Sequence, residues 1–192
     1  MIVTIGGNIG AGKTVLAGKL AAALGYEELY MGGIFRQMAA EKGVSIEQFY
    51  RALRENPAVE READARQAEL MRMHDNLIVQ GRISWHFATG SPFRIFNIFL
   101  KVEPSVGAER SGARDENSGK PISELAKANA EREAQERERY RALYSIEDYH
   151  APEHYDFILD TSRLTEAEVF EKVLTEIHEK QRVSIPDKNG PL

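Results

Sequence analysis

Eight consecutive residues near the start of the chain have the types and the spacing that bind a phosphate group. They match the pattern G-x-x-x-x-G-K-[ST], in which glycines let the backbone approach a phosphate and aim its amide N–H groups at it. The lysine adds a full positive charge, and the last hydroxyl is placed to bind Mg²⁺. The residues predicted to bind the phosphates are Gly7, Asn8, Ile9, Gly10, Ala11, Gly12, Lys13 and Thr14, with Thr14 as the metal ligand.

Arginines elsewhere in the chain could supply further positive charge. Transfer of a phosphoryl group needs such charge around the donor, the transferred group and the acceptor. Arg36 and Arg82 follow the ends of two predicted strands, where parallel sheets bind their ligands. Arg110 and Arg114 flank the start of a segment with loop composition. Each arginine taken singly also fits a surface position, but their joint placement after a phosphate-binding loop favours phosphoryl transfer.

A strongly charged helical stretch adds two more candidates. Arg132, Glu136 and Arg139 are spaced by four and three residues, which places them on one face of a helix. The same stretch, residues 131–141, also fits a solvated helix with exposed ion pairs such as Glu133 with Arg137. The spacing alone leaves both interpretations open.

The elements around the loop are those that the motif requires. Residues 1–5 form a β-branched run typical of a buried parallel strand, and residues 15–24 carry leucines at helical spacing up to Gly25. The dinucleotide pattern G-x-G-x-x-G cannot be placed on these glycines. The sequence therefore predicts a strand, a phosphate-binding loop (P-loop) and a helix.

Strands and helices alternate through the rest of the chain. Apolar runs predict further strands at residues 28–31, 77–79, 93–102 and 155–159, and helices at 34–42, 45–56, 58–73, 122–144 and 164–180, with another opening at Pro104. This order predicts an α/β fold, a parallel sheet of about five strands covered by helices on both faces. We expect one domain over residues 1–182, a short mobile lid at 111–121 and an unstructured tail at 183–192.

Composition limits the classes of function. The chain has 192 residues, a net charge of −5 and no cysteine. The acidic balance argues against a nucleic-acid partner, and the lack of a long apolar run or signal peptide predicts a cytoplasmic protein with no membrane partner. The five histidines show no metal-binding spacing, and no long apolar face stands out, so we expect a monomer.

Seven stretches carry a resemblance to a known family. They occur in the family's order over about four-fifths of the chain: GGNIGAGKT, GGIFRQMAAEKGVSIEQF, ADARQAEL, LIVQGR, GAERSGARDE, EREAQERERYRALY and YDFILDTS. The chain resembles P-loop nucleoside monophosphate kinases, in particular the short cytidylate kinases of archaeal type. The loop is generic to many families, whereas the second and sixth stretches are much more specific.

The resemblance implies an ATP- and Mg²⁺-dependent kinase that transfers the γ-phosphoryl group to a nucleoside monophosphate, with CMP or dCMP first among the acceptors. It implies that helices at residues 33–75 bind the acceptor monophosphate. The implied acceptor-binding residues are Arg36, Arg82 and Arg132 at the phosphate, Asp64, Arg66 and Gln67 at the base and ribose, with Glu136 beside them. On the donor side the resemblance implies Arg110 at the adenine and Arg114 near the phosphates. Lys13, Arg132 and Arg139 would act in catalysis, Arg139 by closing onto the transferring group.

The sequence departs from the family pattern at two positions. Gly33 and Gln80 stand where these kinases carry acidic residues, and the second of these normally helps to hold Mg²⁺ or its waters. Residues 83–93 also match the archaeal enzymes poorly, and we expect Trp85, His86 and Phe87 to pack in the core. These departures predict weakened metal binding or turnover and leave the acceptor's base open.

Two alternatives remain. The loop sequence GNIGAGKT resembles that of deoxynucleoside kinases, so a nucleoside or another small alcohol is an alternative acceptor. A hydroxyl acceptor needs a base near the end of the third strand, however, and Gln80 cannot serve as one. A nucleotide-binding protein with little turnover is the other alternative, because two acidic residues are missing.

Overall fold

The computed structural model describes residues 1–113 and 119–182. The predicted tail lies outside these ranges, as do Arg114 and much of the predicted lid. No helix in the described ranges is both long and apolar enough to cross a membrane.

Five strands and eight α-helices follow one another in the described ranges. The strands are β1 (Ile2–Gly7), β2 (Glu27–Tyr30), β3 (Leu77–Gln80), β4 (Ile95–Lys101) and β5 (Phe157–Asp160). The helices are α1 (Lys13–Leu24), α2 (Met31–Glu41), α3 (Ile46–Glu55), α4 (Pro57–Met73), α5 (Ser84–Ala88), α6 (Pro104–Gly112), α7 (Ile122–Tyr144) and α8 (Glu166–Arg182).

The strands form one parallel sheet in the order β2-β3-β1-β4-β5. The central strand β1 is buried along its whole length, as its β-branched sequence predicts. The predicted α/β fold with about five parallel strands is confirmed. Because all five strands run the same way, their carboxyl ends meet at one edge, where the loop after β1 also lies.

Successive side chains of β1 point to opposite faces and divide the core in two. Val3 and Ile5 pack with residues of α1 and α8, including Leu20 and Val173. Ile2 packs on the other face with Met71 of α4, Ala88 of α5 and residues of β3. Helices α2, α3 and α4 enclose a third apolar cluster beside the sheet. This cluster fixes the face that α4 presents to the edge of the sheet.

Local capping signals agree with the helix boundaries at several places. Gly25 ends α1 in the left-handed conformation with a φ of 65°, which glycine adopts without strain. At α3 the backbone N–H of Gln48 donates to the Ser45 hydroxyl at 3.2 Å, and the Gln48 side chain accepts from the Ser45 N–H at 2.8 Å. The capping box predicted for this helix is present.

Two local details differ from the sequence prediction. Helix α2 begins at Met31 rather than at Ile34, with both glycines inside its first turn. The five-residue helix α5, Ser84–Ala88, lies where we expected only packed aromatic residues. A helix this short covers little more than one turn, so no apolar periodicity can reveal it.

Candidate active site

The loop from Gly7 to Thr14 connects β1 to the N-terminus of α1. Two of its glycines lie so close to neighbouring backbone that a side chain would not fit, whether or not a phosphate is bound. A Cβ on Gly7 would lie 2.3 Å from the Leu100 carbonyl oxygen, and one on Gly10 would lie 2.2 Å from the Gly107 carbonyl oxygen. Both glycines also have positive φ, 141° and 80°. The loop is therefore packed directly against the backbone of β4 and α6.

Lys13 and Thr14 begin α1, and both are tied to other parts of the loop or the sheet. The Lys13 Nζ donates to the carbonyl oxygens of Gly7 at 2.9 Å and Asn8 at 2.6 Å. The Thr14 Oγ1 accepts from the Gln80 Nε2 at 2.9 Å. The side chain at the end of β3 thus contacts the predicted metal ligand as an amide donor.

A cleft of about 840 Å³ opens between this loop and helices α2, α4 and α7. Its lining includes eleven of the predicted site residues: Ile9, Gly10, Gly12, Lys13, Thr14, Asp64, Gln67, Arg82, Arg132, Glu136 and Arg139. Residues from four separate parts of the sequence meet here. The volume of the cleft lies within the range of about 300–1,000 Å³ that is typical of small-molecule sites.

Glu136 is the centre of the charged cluster in this cleft. It is only 5% exposed. Its two oxygens bind the Nε atoms of Arg82 at 3.0 Å and Arg132 at 3.1 Å, and the Tyr149 hydroxyl donates to it at 3.2 Å. A buried carboxylate needs such partners, because burial without them destabilises its charge. Glu136 therefore orients two arginines side by side.

Arg82 also links this cluster to the phosphate-binding loop. One of its terminal nitrogens donates to the Gly7 carbonyl oxygen at 2.6 Å. The guanidinium thus bridges the first residue of the loop and the carboxylate of Glu136 on α7. This bridge sets the distance between the loop and the face of α7 that carries Arg132.

Arg139 lies farther along the same helix and pairs with Glu60 of α4 at 3.0 Å. Its guanidinium also lies 5.1 Å from the centre of the Tyr140 ring. Burial opposes its charge, but Tyr140 and the Glu60 carboxylate outweigh that effect and raise the pKa of Arg139. Glu60 was not among the predicted residues. Its spacing of four from Asp64 on α4 is the signal that could have found it.

Asp64 and Gln67 are buried on the face of α4 that lines the cleft, 9% and 1% exposed. The Gln67 Nε2 donates to the Ser84 Oγ at 3.3 Å, and the Tyr144 hydroxyl donates to Asp64. Burial raises the pKa of Asp64 to about 6, with Glu60 adding to the effect, while Tyr144 and Arg139 oppose it. Asp64 therefore titrates close to neutral pH.

A second cleft, of about 500 Å³, lies on the other side of the loop against α6 and the loop after β5. Arg110 lines it, and its Nη atoms donate to the Thr161 carbonyl oxygen at 2.8 Å and the Thr161 Oγ1 at 3.1 Å. These bonds hold the guanidinium against the wall of the cleft. Gly10, Ala11 and Gly12 form the facing wall.

Two predicted acceptor residues lie outside the lining of the main cleft. Arg36 donates to the hydroxyl of Tyr30, which itself lines the cleft, and its guanidinium lies 5.3 Å from the centre of that ring. Arg66 pairs with Glu69 at 3.4 Å and lies 3.9 Å from Glu41, on the outer side of α4. Arg36 is thus at the rim of the cleft, and Arg66 points away from it.

Glu133 contacts the phosphate-binding loop, although it is not among the predicted site residues. Its Oε1 accepts from the backbone N–H of Ile9 at 3.1 Å and from the Asn8 Nδ2 at 3.4 Å. Arg137, which a solvated helix would pair with Glu133, instead pairs with Asp148 at 3.3 Å. Since α7 lies across the loop, Glu133 puts a carboxylate on a backbone amide of the phosphate-binding motif.

The aromatic residues of α5 pack as expected, and one of them also reaches the cleft. Trp85 stacks on His154 with ring centres 3.8 Å apart, and His86 and Phe87 both contact Tyr144 at 5.4 Å. Phe87 is part of the cleft lining. Over residues 1–113 and 119–182 no group of three or more His, Asp or Glu is placed to hold a metal ion.

The comparison with protein families confirms the resemblance that the sequence motifs indicate. The model of the cytidylate kinase-like family matches residues 2–163. A cytidylate kinase from Methanopyrus kandleri is 35% identical over 177 residues, covering 88% of this chain and 89% of the relative. A cytidylate kinase from Pyrococcus abyssi is 36% identical over 170 residues, covering 88% and 90%.

Solved structures with little sequence identity share the fold. A shikimate kinase from Bacteroides thetaiotaomicron superposes with a TM-score of 0.62 at 16% identity, covering 95% of this chain and 98% of that one. A gluconokinase from Sinorhizobium meliloti gives 0.56 at 16% identity, covering 96% and 97%. The five-stranded parallel sheet is therefore that of the P-loop kinases.

Proposed function

The chain belongs to the cytidylate kinase-like family, and from this premise we propose that it transfers the γ-phosphoryl group of ATP to a nucleoside monophosphate, with CMP or dCMP preferred. The products would be ADP and the nucleoside diphosphate. One observation carries the proposal beyond the family: Lys13, Arg82, Arg132 and Arg139 surround a single cleft next to the loop. Positive charge on all sides of a transferring phosphoryl group is what this chemistry requires.

The donor nucleotide would lie along the loop. Backbone N–H groups, the N-terminus of α1 and Lys13 would bind its phosphates. The adenine would enter the second cleft, where Arg110 is already held against Thr161 and could cover the ring. Arg114 and the lid at residues 111–121 would close over the phosphates and exclude water, so that ATP is not hydrolysed.

Mg²⁺ would accompany ATP. This ion keeps several waters and uses one or two protein ligands together with substrate phosphates. The Thr14 hydroxyl fits this role, because it accepts one hydrogen bond from Gln80 and retains a second lone pair. The ion would neutralise charge on the phosphates during transfer. Gln80 adds no negative charge to this site.

The acceptor would bind between α4 and α7, within the region of residues 33–75 and its facing helix. Its phosphate would lie between Arg82 and Arg132, which Glu136 holds together, with Arg36 at the rim. A monophosphate is already an anionic nucleophile, so no general base is needed and positioning does the work. Arg139 would then leave Glu60 for the transferring group.

The base would contact Asp64 and Gln67, which are buried in the same wall. An ionised Asp64 accepts hydrogen bonds and fits the exocyclic amine of cytosine, whereas the corresponding keto oxygen of uracil has no hydrogen to donate. Gln67 can donate or accept at the neighbouring edge. This pairing of groups supports CMP or dCMP over UMP. Arg66 faces outward and has no part in this scheme.

A coupled assay with ATP and Mg²⁺ tests the proposal. The acceptors would be CMP, dCMP, UMP, AMP, GMP and cytidine. We expect turnover with CMP or dCMP far above the others and a fall of about 10³-fold or more in Lys13→Ala, while Lys172→Ala, an exposed lysine on α8, behaves as the parent protein. Circular dichroism would show that both variants fold.

The same experiment decides against the proposal if the result differs. Turnover of cytidine in preference to CMP would make the enzyme a nucleoside kinase. ATP binding measured by calorimetry without product from any acceptor would make it a nucleotide-binding protein. A Lys13→Ala variant with turnover close to that of the parent would exclude the role of Lys13 in the mechanism.

A further inference from the structure

Tyr144 ends α7 and lies against Asp64 of α4, eighty residues away in the sequence. Its hydroxyl donates to Oδ2 of Asp64, which leaves Oδ1 of that carboxylate for a ligand in the cleft. We propose that Tyr144 is a positioning residue for base selection: it holds Asp64 as a hydrogen-bond acceptor and so favours acceptor bases with an exocyclic amine over those with a keto group. This inference rests on the proposed function.

The surroundings of Asp64 show why a hydrogen-bond donor is needed there. Asp64 is 9% exposed, and burial favours the protonated carboxyl. Glu60, four residues earlier on α4, has the same effect by repulsion, whereas Arg139 and Tyr144 of α7 favour the carboxylate. Because Arg139 is itself paired with Glu60, its charge is shared between two carboxylates. The Tyr144 hydroxyl is the contact directed at Asp64.

Tyr144 is in turn held by the short helix α5. His86 and Phe87 pack on its ring with centres 5.4 Å away. Burial and the nearby His154 lower the pKa of His86, so this imidazole is neutral beside the tyrosine. Arg61 is the further charged group that acts on Tyr144. The hydroxyl is therefore fixed from the side of α5.

Loss of this hydroxyl should reverse the hydrogen-bonding character of Asp64. In Tyr144→Phe, burial and Glu60 are opposed only by Arg139, and the pKa of Asp64 rises above its starting value of about 6. At neutral pH a larger share of Asp64 then carries a proton. A protonated carboxyl donates to the keto oxygen of uracil, and its remaining carbonyl oxygen is a weaker acceptor for the amine of cytosine than a carboxylate oxygen.

The test compares kcat/KM for CMP and UMP in the parent protein and Tyr144→Phe from about pH 5.5 to about pH 9. Near neutral pH we expect the CMP-to-UMP ratio to fall about tenfold in the variant, which corresponds to one pKa unit. The acid limb of kcat/KM for CMP should move to higher pH by a similar amount, and the parent preference should return at the alkaline end. The value of kcat for CMP should change less than kcat/KM.

Two further variants make the result specific. Asp64→Asn cannot titrate, so its CMP-to-UMP ratio should be independent of pH, and adding Tyr144→Phe should change that ratio little. Tyr26→Phe removes a hydroxyl that bonds Gln181 away from both clefts and should leave the profile unchanged. Equal losses for CMP and UMP in Tyr144→Phe, with an unmoved acid limb, would overturn the proposal and leave Tyr144 a purely structural role.

A readout without turnover separates this proposal from the proposed function. Carbon-13 NMR of the carboxyl groups should give a higher pKa for Asp64 in Tyr144→Phe than in the parent, with no substrate present. Calorimetry should show CMP bound more tightly than UMP by the parent, with a smaller difference in the variant. If the protein turns over no acceptor but these results hold, the proposed function fails and the inference about Tyr144 stands. If the carboxyl pKa does not rise, or CMP does not bind, the inference fails.

Discussion

The two walls of the main cleft are built in different ways. The wall that contains the phosphate-binding loop uses adjacent residues and backbone groups, and its one lysine folds back onto two carbonyl oxygens of the same loop. The opposite wall uses side chains of α4 and α7, and its charges are paired across long stretches of sequence, as Glu60 is with Arg139. The first wall needs glycines and a helix N-terminus, whereas the second depends on carboxylates that orient its arginines.

Lys13→Ala should give the largest loss of activity. It removes the one full positive charge of the phosphate-binding loop, while the backbone amides of the loop remain. We expect kcat for CMP to fall by about 10³-fold or more, since single preorganised donors to a developing charge contribute about 10²–10³-fold. Steady-state kinetics measures this loss. A decrease below about tenfold would show that the backbone alone forms the working donor site.

Glu136→Gln should have the second largest effect, on the wall of the cleft that α4 and α7 form. The change leaves Arg82 and Arg132 without their shared charge partner, and Arg82 is largely buried. We expect KM for CMP to rise about tenfold and the free energy of unfolding to fall by about 2–4 kcal/mol. Urea denaturation and acceptor kinetics are the measurements. Glu138→Gln, an exposed position on the same helix, is the matched control and should change neither quantity.

Gln80→Glu tests the predicted metal-binding position beside Thr14. A carboxylate at the end of β3 would accept from the Thr14 hydroxyl and add a negative charge beside it, where the present amide donates. We expect Mn²⁺, as a substitute for Mg²⁺, to bind the complex with a nonhydrolysable ATP analogue about three- to tenfold more tightly. Electron paramagnetic resonance of free Mn²⁺ gives this affinity directly. Unchanged affinity would mean that Gln80 already serves the site through its own oxygen.

Glu133→Gln should have a smaller effect. It should tighten nucleotide binding, whereas Glu136→Gln should weaken it. The Glu133 carboxylate bonds the Ile9 amide, so it places a negative charge where the phosphates of ATP approach. Its removal should tighten ATP binding about two- to fivefold, within the range of a screened charge pair. Calorimetry of ATP binding without acceptor measures this change, with Glu131→Gln as the exposed control. Weaker binding would show that the contact supports the loop rather than repelling the ligand.

This contrast explains which parts of the site could be predicted from the sequence. The loop is a local motif, so its eight residues, the strand before it and the helix after it followed from spacing alone. The contact of Tyr144 with Asp64 joins helices α7 and α4. A sequence pattern predicts each helix but not how the two pack together. Glu133 shows the same limit, because a charged helix face looks alike whether it meets water or a backbone amide.

The resemblance to the family helped with the helical wall but could not orient each residue on it. Asp64 and Gln67 are three positions apart on α4 and share a face, as Glu60 does, whereas Arg66 lies about 200° around the helix from Asp64. The structure accordingly places Arg66 on the outer side with Glu69. Helical geometry applied to the predicted residues already separates Arg66 from Asp64. Arg137 pairs with Asp148, which lies beyond the end of α7. This pair depends on the turn after α7, which helical spacing does not describe.

The contact between Gly10 and Gly107 has a consequence for how the donor cleft can change during evolution. The two backbones touch, since a Cβ on Gly10 would lie 2.2 Å from the Gly107 carbonyl oxygen and one on Gly107 would lie 2.6 Å from the Ile9 carbonyl oxygen. Neither residue can acquire a side chain unless α6 moves away from the loop. The spacing between the loop and α6 is thus closed to gradual variation, whereas side chains that line the second cleft, such as Arg110 and Thr161, are not under this restraint.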